Sequence, residues 1–88
     1  KMGRDFYNMF YERWQAPPNA RDFMLTITER MTPSRGTSVS IMIDDELVYR
    51  TRLQPRYSYI ESVASQAVSV CRQRLYYMNL ESDELEIY

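Results

Sequence analysis

The sequence predicts an α+β fold in the order helix–strand–strand–strand–helix, with two helices packed on one face of a three-stranded antiparallel sheet. Two patterns carry that expectation. Between residues 39 and 53 the apolar Val39, Ile41, Ile43, Leu47, Tyr49 and Leu53 occupy odd positions, while Ser40, Asp44, Glu46, Arg50 and Arg52 occupy even ones. A period of two marks half-buried strands. On either side the period changes to that of a helix: Phe6, Phe10 and Trp14 come before, and Ile60, Ala64, Ala67, Cys71, Leu75 and Met78 come after.

Taken in order, residues 3–15 read as the first helix. Asp5 in its first turn and Arg13 in its last suit the helix dipole, and Pro17-Pro18 ends it. Its aromatic stripe packs on a sheet, and Trp14 near the end has two readings, core packing or a partly exposed partner anchor. Phe23 to Arg30 is the first strand, with Phe23, Leu25 and Ile27 facing one way and Met24, Thr26, Thr28 and Arg30 the other. Residues 31–37 form a loop with Pro33-Ser34-Arg35-Gly36 as its turn chemistry. Asp44-Asp45-Glu46 then serves as a three-residue hairpin loop, which pairs Ile43 with Leu47, Ile41 with Tyr49 and Val39 with Thr51. A two-residue loop that pairs Asp44 with Leu47 sets polar against apolar and is rejected. The opposite face then carries Met42/Val48, Ser40/Arg50 and Ser38/Arg52 and is expected to stay wet.

Pro55 stops the third strand. Ser58-x-x-Glu61 reads as a capping box that opens a helix over about residues 58–78. Ala64 and Ala67 let that helix approach the sheet closely, and Cys71 on the same stripe reads as a buried small hydrophobe. Residues 1–78 thus make one α+β domain. Residues 79–88 hold four acids, Glu81, Asp83, Glu84 and Glu86, and are expected to form a flexible tail, with Leu85, Ile87 and Tyr88 leaving room for a short strand or a docking segment.

Composition excludes more than it assigns. With 88 residues the chain supports one small core and no second domain. It has no histidine and one cysteine, so neither an internal disulfide nor a Cys/His metal site is expected, and no cofactor. Net charge is −1, which exerts no general pull toward nucleic acid or anionic membrane. No apolar run approaches the ~20 residues of a membrane span. Lys1-Met2-Gly3-Arg4 has no signal-peptide core, so an exported form is expected to have lost its signal. No serine has an evident base, Cys71 has no histidine partner, and three consecutive turn carboxylates do not converge on a substrate. An enzyme is not expected.

The candidate site is the wet face. Arg50 and Arg52 alternate on it, Arg30 shares its parity, and Arg35 lies in the adjoining loop. One reading is a solvated face whose arginine stems cover apolar surface. The other is a basic, Ser/Thr-lined surface for an acidic or polar protein segment. An RNA-binding sheet would show aromatics beside the cations, and this face has none.

The ordered set Asp5-Phe6-Tyr7-x-x-Phe10-x-x-x-Trp14, Leu25-Thr26-Ile27-x-Glu29-Arg30, Gly36, Ile41-x-Ile43, Thr51-x-Leu53-x-Pro55 and Glu61 resembles the CsgE family of curli assembly and transport components. The likeness spans about residues 4–75 and lies in the order and gaps rather than in any one motif. It implies two helices on a three-stranded antiparallel sheet. It also implies a periplasmic factor that binds the amyloid-forming curli subunit, limits its premature aggregation and caps the outer-membrane secretion pore as a homo-oligomeric, nine-fold ring. Members of the family carry tryptophans around the glycine that matches Gly36, where this chain has Arg35 and Ser38. Self-association is therefore weaker or falls to other residues, among them Trp14, Gly36, Tyr57 and Tyr59, with Tyr76 and Tyr77 as further substitutes. The competing expectation is a small monomeric module that binds a folded protein or nucleic acid.

Overall fold

The computed structural model describes residues 2–18, 20, 22–34 and 36–87, with side chains described up to Met78. The elements are α1 (Met2–Arg13), β1 (Leu25–Thr32), β2 (Gly36–Ile43), β3 (Glu46–Leu53) and α2 (Tyr57–Ile87). The strands form an antiparallel sheet in the order β1-β2-β3. The expected α+β architecture is present, and both helices cover the same face.

That face is built as the alternation requires. Val39, Ile41 and Ile43 of β2 are fully buried together with Phe6 and Phe10 of α1. From α2 come Ile60, Val63, Ala64, Ala67, Val68, Cys71 and Leu75, the expected stripe, with Met78 packed at its margin. Two polar contacts tie α2 to α1 and to the segment that follows it. Arg13 Nη2 lies 2.8 Å from Glu61 Oε2, and the Arg72 guanidinium donates to the Gln15 carbonyl. The capping box does not form as expected. α2 starts one residue before Ser58, its first turn bonds through Ile60 N–H to the Arg56 carbonyl at 3.0 Å, and the Glu61 carboxylate is drawn to Arg13 instead. A charged partner outcompetes a backbone amide for that carboxylate.

The first hairpin is longer than expected. Thr32 pairs with Gly36, and Gly36 has φ +78°, the left-handed residue that closes a three-residue hairpin loop. Gly3 is buried against β1, with its N–H donating at 3.2 Å to Oε2 of Glu29, three residues before Thr32. A Cβ on Gly3 would run into that carboxylate. The acid sits at the positive end of α1, where the helix dipole favours it.

The second hairpin corrects the expected register. The turn is the two-residue Asp44-Asp45, one residue earlier than the two-residue alternative that the sequence argued against, and it pairs Ile43 with Glu46 and Met42 with Leu47. A register shift follows, with Val48 as the extra residue, and the expected pairs Ile41/Tyr49, Ser40/Arg50, Val39/Thr51 and Ser38/Arg52 are restored. Asp44 makes the tight turn possible. It takes φ 56°, which aspartate tolerates, and its Oδ1 accepts the Met24 N–H at 3.0 Å. The consequence is an exchange of faces. Val48 packs toward the core, and Leu47, expected inside, is 48% exposed outside.

α2 continues to Ile87 rather than ending near Met78. No proline or glycine follows Met78 to stop it, and Leu and Glu favour helix. The side chains of the expected acidic tail, residues 79–88, lie outside the described ones.

The bulge predicts unequal losses from equal truncations. Ile41→Ala should lower unfolding free energy by about 2–5 kcal/mol, whereas Leu47→Ala should change it by less than about 1 kcal/mol. Urea unfolding of the two variants checks this; equal losses would return Leu47 to the core.

Candidate functional site

The helices leave the other face of the sheet open, and the pairing sorts it into rows. Arg30, Ser38 and Arg52 stand side by side across the three strands. Thr28, Ser40 and Arg50 form the next row, and Thr26, Met42 and Leu47 the third. Neighbouring strands lie ~4.8 Å apart, so Arg30 and Arg52 arise about 10 Å from each other with a small hydroxyl between them. Thr28, Arg30, Ser38, Ser40, Met42 and Arg50 line a shallow concavity on this face.

This surface gathers three arginines on adjoining rows. Arg13 is neutralised by Glu61, and Arg74 reaches Glu46 Oε2 at 2.5 Å. Among the described residues no carboxylate pairs with Arg30, Arg50 or Arg52. Arg50 Nε donates to Ser40 Oγ at 3.2 Å, a neutral partner that orients the guanidinium and leaves its charge uncompensated. The face also has an apolar end: Met42 and Leu47 pair across β2 and β3, and Met24, just before β1, is 68% exposed; of these only Leu47 departs from expectation, standing where Val48 was expected. Only the bulge puts Leu47 there, and alternation gives no sign of it.

Of the other expected site residues, Arg35 lies outside the described residues. Gly36 serves the hairpin backbone, and nothing stands within 4 Å of where its Cβ would be. Trp14 follows α1 and is half-buried, stacked on Phe10 at 5.4 Å between ring centres and edge-on to Phe23 at 6.2 Å. Tyr59 is half-buried and donates its hydroxyl to the Arg52 carbonyl at 2.8 Å. Tyr57 is 70% exposed at the start of α2. It borders a mostly apolar pocket with Met2, Asp5, Met9, Pro55 and Ile60. Among the described ring contacts none joins Trp14, Tyr57 and Tyr59, so they do not form one patch.

No group of three Cys, Asp or Glu among the described residues is placed to hold a metal ion. Cys71 is fully buried on the inner stripe, and burial pushes its thiol up to about 11, away from the thiolate that nucleophilic chemistry needs. Among the described residues no helix is long and apolar enough to cross a membrane.

Comparison with known proteins adds the family. The model of the curli assembly protein CsgE matches residues 1–86. The chain belongs to the CsgE family. No curated protein matches the chain at a significant level. Membership in CsgE assigns the chain a role in curli biogenesis and favours an accessory over a catalytic one.

Burial gives this CsgE member a defined alkaline limit. Desolvation raises the Cys71 thiol from 9.0 to about 11 and also raises Tyr11 and Tyr49. All three are acids that the fold keeps neutral, so the unfolded chain loses their protons first. The contribution of these groups is therefore fully present below pH 9, and Cys71 accounts for a loss of about 2–3 kcal/mol between pH 9 and 11. Thermal melts across that range should show the fall, and Cys71→Ala should flatten part of it. An unchanged slope in that variant would remove the thiol as a cause.

Proposed function

We propose that the chain is a periplasmic curli secretion accessory factor. It binds unfolded curli subunits on the open face of its sheet, limits their premature conversion to amyloid, and as a homo-oligomeric ring caps the outer-membrane curli secretion pore. The observation that carries this reading is the row Arg30–Ser38–Arg52 with Arg50 beside it, cations without carboxylate partners on a face that no helix covers. Family membership supplies the biological setting.

The physical demand is specific. A subunit that will become amyloid exposes strand edges and polar side chains while unfolded. A holding factor without a nucleotide must grip it weakly at many points. Exposed guanidinium groups offer salt-sensitive contacts to acidic and amide side chains, and Met24, Met42 and Leu47 offer apolar contact at the other end of the face. A ring would multiply these contacts through effective concentration. The core aromatics and the hydroxyl of Tyr59 are engaged inside the fold. Self-association therefore falls to exposed residues such as Tyr57.

Charge reversal tests the face directly. Arg50→Glu with Arg52→Glu should weaken subunit binding about tenfold or more, at roughly 0.5–1 kcal/mol for each lost contact and a similar penalty for each new repulsion. Fibre formation followed by thioflavin fluorescence should then start earlier than with the parent protein. The circular dichroism spectrum and melting temperature should not change, because neither side chain supports the core. Full suppression of fibres by this variant would remove the arginine face from the mechanism.

A further inference from the structure

The two edges of the sheet are not alike. β3 is blunted: it carries the bulge at Val48, α2 packs along it, Tyr59 occupies the Arg52 carbonyl, and Glu46 is tied to Arg74. β1 has none of these devices. Its eight residues pair with β2 in unbroken register from Leu25 to Thr32. The Asp44 N–H donates to the Met24 carbonyl at 2.7 Å and marks the phase of that ladder. Hydrogen-bonded pairs alternate in an antiparallel ladder, so even-numbered β1 residues bond to β2. The backbone N–H and C=O groups of Leu25, Ile27, Glu29 and Met31 therefore turn outward, and among the described residues no strand lies across them.

A groove lies over this edge. Gly3, Arg4, Tyr7 and Asn8 of α1 face Ile27 and Glu29 of β1 across it. Tyr7 is half exposed there, its ring 4.8 Å from that of Tyr11. On the other face of β1 stand Thr26, Thr28 and the unpaired Arg30.

We propose that β1 is a docking edge on which an extended segment of the unfolded client adds a fourth strand. The free ladder asks for another backbone ladder, which a folded helix cannot present. Side chains toward the groove are apolar or aromatic under Tyr7 and beside Ile27, and polar or basic beside Glu29. Those on the open face carry amides, hydroxyls or an acid near Arg30. A second copy of β1 fits worse. Antiparallel self-pairing sets residues of one face opposite each other, and its registers place the Glu29 carboxylate against Leu25, Ile27, Met31 or another Glu29. The inference deepens the function proposed above, on which the identity of the client rests.

Amide hydrogen exchange followed by NMR tests it, with two probes: curli subunit freshly transferred from denaturant, and a synthetic peptide of alternating valine and glutamine. Exchange at Leu25, Ile27, Glu29 and Met31 should slow at least tenfold when the subunit is added, while even-numbered β1 amides, already bonded, change little. Met31 is 71% exposed. Met31→Pro removes one outward N–H and no core contact, and it should weaken subunit binding about fivefold without changing the melting temperature. If the subunit binds and its fibres are delayed but these four amides gain no protection, the docking edge is overturned and the function stands. If the peptide protects them and the subunit does not bind, the edge stands and the client assignment fails. Protection that rises with protein concentration alone would make a second copy the occupant and overturn the proposal.

Discussion

One constraint shapes the molecule: its two helices roof only one side of a three-stranded sheet. The roof is close because its contact residues are small. Ala64, Ala67 and Cys71 bring α2 down onto β3, and Phe6 and Phe10 fill the space under α1. Burying each of Val39, Ile41 and Ile43 contributes about 1.5–3 kcal/mol, and among the described residues no second layer does the same for the other face. That face must then be made of residues at ease in water. Serine, threonine and arginine fill two of its three rows, with Met42 and Leu47 in the third, and a candidate binding surface follows from the economy of the core.

The arginines divide according to what they touch. Arg13 and Arg74 each meet a carboxylate and bind separate elements together, α1 to α2 and the hairpin tip to α2. Among the described residues Arg4, Arg30, Arg50, Arg52, Arg56 and Arg72 meet none, and of these Arg30, Arg50 and Arg52 share the open face. An exposed ion pair adds at most about 1 kcal/mol to a fold, so pairing the second group as well would gain little stability. Leaving three guanidinium groups uncompensated gains a local field that the nearly neutral whole chain does not have. The aromatics divide the same way: Trp14 stacks into the margin of the core and Tyr59 seals a strand carbonyl, while Tyr7, Tyr57, Tyr76 and Tyr77 remain outside.

Much of this was legible in the sequence because it depends on period. Two helical stripes around an alternating stretch specify the layers, and parity alone places Arg30, Arg50 and Arg52 on one face. What period cannot show is a change of phase. The bulge at Val48 moves Leu47 from the inner face to the outer, and the signal that could have suggested it, Asp44-Asp45 as a two-residue turn, was masked by the third acid, Glu46. Tertiary competition was equally invisible. Ser58-x-x-Glu61 has the spacing of a capping box, but Arg13 arrives from 48 residues away and takes the carboxylate. The outward phase of the β1 backbone follows from the β1–β2 register, of which the Asp44–Met24 bond is one rung, and no propensity encodes it.

A holding surface must be rigid enough to present its contacts together and weak enough to release what it holds. The sheet meets the first condition, since the rows of the open face are fixed by ladder hydrogen bonds and a buried inner side. The second follows from exposure: screened by salt at a Debye length of about 8 Å, each guanidinium contact is worth a fraction of a kcal/mol. Backbone pairing along β1 would act at right angles to this grip, reading chain extension rather than charge. Two shallow interactions of different kinds discriminate better than one deep one. A folded acidic protein can satisfy the arginines but not the edge, and an exposed neutral strand can satisfy the edge but not the arginines. On the proposed reading, only an unfolded polar segment satisfies both, and it loses both when it folds into a fibre.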